Sequence, residues 1–333
     1  MKNNLLQLLS VAMISLLLIC GCKMNGKKQS SSGKTQELMI VTNKNIYNGQ
    51  AKAALDEIFN TPQEGLNQPE PRFEMVCIDP STFNGSEMFK THHNVLSLDI
   101  KKDGDNKVSV AHNKWANPQT VITITATDHH SLDSVLRANK DLLLEEYYTS
   151  ERNRMAALFA ETPNASVNNK VKEMYGFSLL FPDEFRIAKT EGNFTWIRQE
   201  SKDYGLQFYI STQFAGDPAA LTEEGIIANI DTLMKQHVPC DADGSYQSTE
   251  HNDVYYTHKT KLGDIEAIEV RGLWRCINDF MGGPFISETF VTPDGEKIVT
   301  LIGCVYSPSQ LNKMVMKRDL LMRLDGICHT LKY

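Results

Sequence analysis

The sequence predicts an α+β fold: two α/β sandwich-type domains with mostly antiparallel sheets, reached through an apolar N-terminal segment and a flexible tether. Three observations carry this. The 297 residues from Glu37 to Tyr333 suffice for two ordinary domains. Their strand-like runs are separated by short Gly, Pro and Asp turns, leaving too little chain for repeated helical crossovers, which take a dozen residues or more. Finally, Thr162-Pro163-Asn164-Ala165-Ser166 interrupts the pattern and divides a unit at 37–162 from one at 170–333. Apolar residues make up 41% of the chain, near the average for packed domains, which excludes a disordered body.

In the first unit a strand is expected over 38–42, then a helix over about 47–60 with Ala54, Leu55, Ile58 and Phe59 at helical spacing. Thr61-Pro62 ends it, since proline cannot continue a helix. Strands near 73–78, 94–100 and 108–111 follow, and Trp115-Ala116-Asn117-Pro118-Gln119 leads into an alternating strand over 120–125. A long amphipathic helix over about 131–159 gathers Leu132, Leu136, Leu143, Tyr147, Met155 and Phe159 on one stripe. A largely antiparallel sheet fits strands joined so closely.

The second unit predicts strands near 177–181, 194–199 and 206–211. Thr222 followed by Glu223 and Glu224 marks a helix start, where carboxylates favour the N-terminal dipole, and Ile226, Ile227, Ile230, Leu233 and Met234 continue it. A meander over 253–260, 265–277, 285–292 and 296–306 is punctuated by Leu262-Gly263-Asp264, Gly282-Gly283-Pro284 and Pro293-Asp294-Gly295. A helix over about 309–331 closes the chain.

The N-terminus carries an address. A charged start with Lys2, an apolar run over 5–19 and a small residue before Cys22 describe a secretory signal at 1–21. The run is short of the roughly 20 apolar residues of a membrane span. Ile19-Cys20-Gly21-Cys22 resembles the bacterial lipobox, which implies cleavage before Cys22 and its acylation; several acyl chains on one cysteine hold almost irreversibly. Residues 22–36 then read as the lipidated cysteine and a Lys, Gly, Ser and Gln rich tether with nothing to bury. In lipoproteins of this kind the basic Lys23 next to the cysteine implies an outer-membrane lipoprotein facing the periplasm, with the bilayer as partner through Cys22.

Charge sharpens the picture. Past the tether there are 29 basic and 41 acidic side chains, a net of −12, which excludes a nucleic-acid partner. Cys77, Cys240, Cys276, Cys304 and Cys328 are odd in number and lack zinc spacing. Cys276 and Cys304 are placed on strands of one sheet, though free cysteines acting as small apolar residues fit as well.

Two stretches bring resemblances. Tyr175-Gly176-Phe177-Ser178-Leu179-Leu180-Phe181-Pro182 with Phe185 resembles the opening of PsbP-like domains. The early Leu38-Met39-Ile40-Val41 strand, Trp115-Ala116-Asn117-Pro118-Gln119 and Gly272-Leu273-Trp274-Arg275 make the chain similar to an uncharacterised family of Bacteroidota lipoproteins, the domain of unknown function four-eight-three-seven. That resemblance implies an address and a domain plan and brings no activity.

Chemistry is sparse. His92-His93 and Asp128-His129-His130 attract attention, but neighbouring residues on a strand point to opposite faces, and Asp128 reads as a helix cap. No nucleophile elbow or His-Glu-x-x-His is present, so no catalytic residue, metal or cofactor is assigned. Glu145-Glu146 and Glu223-Glu224 read as solvated helix faces. Trp115, Asn117, Gln119, Trp274 and Arg275 are the candidate partner-binding residues, since Trp and Arg concentrate at binding hot spots; packing of both tryptophans between sheet and helix is the plainer alternative. The expectation is a non-enzymatic binding or accessory protein of the envelope, with an envelope protein or glycan as partner. The alternative is a glycan-processing hydrolase, which requires two carboxylates about 5 to 10 Å apart in a cleft.

Overall fold

The computed structural model describes residues 28–308 and 315–333. The signal segment and Cys22 lie outside the described residues.

The first half contributes strands β1 (Gln29–Ser30), β2 (Glu37–Val41), β3 (Glu74–Ile78), β4 (Asn94–Ile100), β5 (Lys107–His112), β6 (Ala116–Asn117) and β7 (Thr120–Ala126). Five of them form one sheet in the order β3-β2-β4-β7-β5. The expected antiparallel arrangement fails here, because β2 pairs parallel with β3 and β4, and β4 pairs parallel with β7. Only β5, at the edge, runs antiparallel. The reason is burial on both faces. Leu38 and Ile40 enter one apolar cluster and Met39 and Val41 another, so β2 is a continuous apolar run rather than an alternating one, as parallel strands are. The crossovers are helical but short. Helix α1 (Ala51–Leu55) runs on as a π turn over Asp56–Asn60 between β2 and β3, and two single-turn helices, Pro80–Asn84 and Glu87–Lys90, lie between β3 and β4. Elements of one turn leave no 3.6-residue period to read.

The long helix expected over 131–159 is two helices, α2 (His129–Ala138) and α3 (Lys140–Glu161), broken at Asn139, whose side chain donates to the Val135 carbonyl at 2.8 Å. Asp128 caps α2 as expected, accepting from the Ser131 amide at 2.8 Å, with His129 and His130 exposed beside it. Helix α4 (Ala165–Tyr175) fills what read as a break. Its buried side chains are Val167 and Val171 alone, too few to declare a helix in sequence.

The second half builds a wholly antiparallel sheet from β8 (Arg186–Glu191), β9 (Phe194–Glu200), β10 (Gly205–Phe214), β11 (Tyr246–Thr249), β12 (Tyr256–Leu262), β13 (Ile265–Ile277), β14 (Gly282–Val291) and β15 (Lys297–Tyr306). The order is β11-β13-β14-β15-β10-β9-β8, with β12 also on β13. The strand expected over 177–181 belongs to no ladder; Phe177, Leu179 and Phe181 instead drive an extended segment into the core. Helix α5 (Glu223–His237), capped by Thr222, covers one face over Tyr209, Val270, Trp274 and Phe285. Helix α6 (Lys317–Cys328) covers the other, over Ile286, Leu301 and Val305. With one mixed, mainly parallel sheet and one larger antiparallel sheet, the molecule is α+β.

Helix α3 serves both halves. Leu143 and Tyr147 pack into the first core, while Met155 and Phe159 pack into the second. A side chain at Gly326 would place its Cβ 2.6 Å from that of Met155, so glycine there lets α6 lie against α3.

Two expectations about the chain need correction. Residues 28–36, expected as free tether, run along the first sheet: β1 pairs with β6, Ser32 bridges His92, and Gln36 is buried. Cys276 pairs with Cys240 and not with Cys304, since the α5–β11 connection brings Cys240 to a Cα separation of 6.2 Å. Cys304 and Cys328 are buried free thiols, whose pKa values burial pushes well up.

Candidate functional site

Where α3 meets the second sheet, charged side chains enter a core that is otherwise apolar. Strand β13 sends Glu269 and Arg271 inward, two residues apart and hence on one face. Glu288 lies directly across from Glu269 on β14. Helix α6 and its last turn add Asp325 and His329, four residues apart on one side of the helix, and α3 adds Arg152. Arg271 grips Glu269 bidentately, Nε to Oε1 at 2.5 Å and Nη2 to Oε2 at 3.0 Å. Arg152 donates from Nε to Oδ2 of Asp325 at 3.1 Å and lies 3.8 Å from Glu269.

Charge and burial split these carboxyls. Burial opposes ionisation of Asp325, but Arg152, His329 and Arg271 outweigh it and hold the group far below the ordinary carboxylate range. Glu288 meets the opposite balance. Burial, then Glu269 and Asp325, push it well above that range, and Arg152 and Arg271 offset this only in part. The two guanidiniums are held charged by Glu269 and Asp325 against the cost of burial.

Two clefts flank this cluster on either side of Arg152. One, of about 390 Å³, is bounded by Glu64, Arg72, Lys140, Tyr148, His258 and Arg271 and lies between the two sheets. His258 Nε2 is 2.7 Å from Glu64 Oε2, and Arg72 donates to Glu64 Oε1 at 3.0 Å. Their hydrogen bond lowers the Glu64 pKa and raises that of His258. Burial lifts Tyr148 to about 12, so its hydroxyl stays protonated and donates to Gln63. The second cleft, of about 670 Å³, is bounded by Glu145, Arg152, Lys259, Lys261, Glu266 and His329.

A second buried network lies one residue earlier on α3 and faces the first sheet. Glu151, fully buried, accepts from the Gln36 amide at 2.9 Å and Asn94 Nδ2 at 2.8 Å, with His93 Nε2 at 2.6 Å. His92 Nε2 is 3.0 Å from Glu37 Oε2. The histidine rings do not diverge as expected: they stack with centroids 4.8 Å apart, because they precede β4 rather than alternate along it. This network ties the start of the body to α3.

The sequence-predicted binding residues fall into two groups, Trp115, Asn117 and Gln119 around β6 and Trp274 and Arg275 on β13. Trp274 is only 2% exposed and donates from Nε1 to the Val305 carbonyl at 3.1 Å, so its ring presents no surface to a partner. Arg275, on the other face of the strand, is exposed and pairs with Glu250 at 3.2 Å. Trp115 is half-buried against Phe83, with the Lys114 ammonium 4.2 Å over its ring. Gln119 is buried and acts as a clamp, accepting from the amides of Trp115 and Ala116 and donating to the Lys90 and His92 carbonyls. Asn117 and Gln119 border a further hollow of about 720 Å³. Glu145 and Glu224 are exposed as expected. Glu269, Arg271, Glu288, Asp325 and His329 carry no local signal in sequence, because charge on a meander strand or a closing helix reads as a solvated face. The one available signal is Glu269-Val270-Arg271, two opposite charges on one face in the middle of a long strand.

Among the described residues no helix is long and apolar enough to cross a membrane. No curated protein matches the chain. Among solved structures it is similar to the Ran-binding protein Mog1p of Saccharomyces cerevisiae, at 9% identity and a TM-score of 0.31 over 47% of this chain and 91% of that one. A point mutant of the protein Mog1 is similar with the same identity and TM-score, over 47% and 92%. A domain of unknown function, DUF8532, matches residues 31–160. A second, DUF4837, matches residues 164–330, half of the chain, and it is to this family that the protein belongs.

Proposed function

We propose that this protein is a non-enzymatic, lipid-anchored binding protein of a bacterial envelope, facing the periplasm from the outer membrane, and that its ligand sits in the 390 Å³ cleft between the two sheets. The observation that carries the reading is the concentration of Arg72, Arg152 and Arg271 around one cleft, in a body whose net charge is −12. Guanidinium groups present planar forks suited to carboxylate or phosphate groups, and desolvation strengthens such contacts. Glu64 and Glu269 in the same walls add acceptors, so the seat suits a polar segment with acidic and hydroxyl or amine groups, as an envelope protein or glycan provides.

The address rests on Cys22 and is supported by the Cys240–Cys276 disulfide, a bond that persists in oxidising compartments. Because Lys28 already contacts the Asn113 carbonyl, five residues, six Cα-to-Cα steps, separate the lipidated cysteine from the body. Fully extended, they reach at most about 20 Å. The small β1–β6 sheet is thereby held near the bilayer, closer than a tether to residue 36 would hold it. A hydrolase reading would need two carboxylates free to act on substrate, whereas Glu64 and Glu269 in this cleft are engaged by Arg72, His258 and Arg271.

Two variants test the reading. Cys22→Ser should move the protein from the membrane fraction to the soluble periplasm, and a variant that stays with the membrane contradicts the anchor. Arg72→Ala combined with His258→Ala should leave the far-ultraviolet spectrum unchanged yet lose the envelope component that co-purifies with the unaltered chain. Retention of that component contradicts the cleft.

A further inference from the structure

Four polar atoms without a hydrogen-bond partner meet at one place in the core: both carboxylate oxygens of Glu288, Oδ1 of Asp325 and Nε2 of His329. One ligand atom from each of the three side chains lies within 4.8 Å of the other two. His329 Nε2 is 3.1 Å from Asp325 Oδ1 and 4.0 Å from Glu288 Oε1, close but without hydrogen-bond alignment. Leaving even one buried polar atom unpaired costs about 1–3 kcal/mol, more when it is charged. The 3.1 Å contact joins His329 to Asp325 only, and a proton on Glu288 would pair at most one of its two oxygens. A single cation at their centre would pair an atom of all three side chains.

We propose that Glu288, Asp325 and His329 bind a divalent transition-metal ion of the zinc or manganese class, the remaining coordination positions being open toward the 670 Å³ cleft. Two carboxylate oxygens and one imidazole nitrogen suit that class better than calcium or magnesium, which take oxygen alone. Donors about 2.1 Å from a tetrahedral zinc ion are about 3.4 Å apart, so the present spacings close onto a metal with shifts of a few tenths of an ångström to about 1 Å. Arg152 and Arg271 already pair with Glu269 and Asp325, which leaves Glu288 as the carboxyl with no guanidinium of its own.

The supporting shell is also in place. Arg152 and Arg271 take Oδ2 of Asp325, which turns Oδ1 toward His329 and Glu288. Glu288 lies mid-strand in β14, Asp325 lies in the last turn of α6 and His329 caps that helix, so all three are set by fixed elements. An ion has a route in, because His329 is partly exposed and borders the larger cleft.

The test uses the full chain in detergent, stripped with a chelator and titrated with zinc or manganese chloride. One equivalent should bind and raise the melting temperature. Glu288→Gln and His329→Gln should each weaken that binding about 100-fold or more, while His258→Gln, in the other cleft, leaves it intact. Cobalt substitution provides a readout that needs no variant: one equivalent should give a ligand-field spectrum that zinc abolishes. Absence of binding to the unaltered chain overturns the site. So does binding that survives both substitutions, which would place the ion on exposed histidines such as His129 and His130.

Discussion

At the scale of single residues, burial decides what each conspicuous side chain does. Trp274 looks like a hot spot in sequence and is a core residue in the fold, whereas Glu288 and Asp325 look like surface charges and are fully buried. His92 and Glu37 show how a residue-level contact becomes a property of the protein. Their hydrogen bond holds the Glu37 carboxyl at about 2, against an ordinary value of 4.5. A carboxyl lowered in this way contributes stability that is present above its unfolded value and is lost as pH falls through its folded one. Thermal midpoints measured between pH 5 and pH 2 should therefore decline, and His92→Ala should decline less steeply over that interval. Parallel curves for the two proteins would remove Glu37 from the linkage. Nothing in the sequence distinguished Glu37 from any other acid at a strand start, since its partner stands 55 residues away.

At the scale of elements, local signals were legible where a cap or a turn coincided with a period. Asp128 and Thr222 start helices as expected, and two of the three meander turns fall where Gly263-Asp264 and Pro293-Asp294-Gly295 place them; the third lies over 278–281, because Gly282-Gly283-Pro284 pairs within β14. Legibility failed where the element was too short, as in the single-turn crossovers behind the parallel sheet, or where a helix has more than one buried side, as in α3. The Cys240–Cys276 bond is an element-scale constraint, because it fastens the α5–β11 connection to the end of β13 across a separation of 36 residues. In the chain-entropy account, closing a loop of that length stabilises by about 2–4 kcal/mol. Cys240→Ser with Cys276→Ser should lower the denaturation midpoint by a corresponding amount without changing the fold. A reducing agent should lower the midpoint of the native chain equally and leave the double variant unmoved. Equal stability of the two oxidised proteins would contradict this role.

At the scale of the whole molecule, two sheets of different construction share helix α3, and the shared helix makes a functional site between them credible. Glu151 and Arg152 are consecutive on it, yet one joins the network of the first sheet and the other the charged cluster of the second. The N-terminus of α6 is likewise bound across the seam, with the amides of Lys317 and Arg318 donating to Glu70 at 3.1 and 2.8 Å. Carboxylates are favoured at that helix end. The fold class could be read from turns and apolar runs. The seam could not, because Arg152 and Asp325 meet across 173 residues and only the tertiary packing brings them together.

The central claim is that this seam is where the protein engages its envelope ligand. It is tested most directly by a photoreactive amino acid at Lys140, in the wall of the 390 Å³ cleft, compared with one at Phe214, which is 81% exposed and outside it. Irradiated in intact envelopes, the Lys140 position should yield a discrete adduct that disappears when Arg72→Ala is added, and the Phe214 position should yield none. The same adduct from both positions, or an adduct from Phe214 alone, would contradict the account.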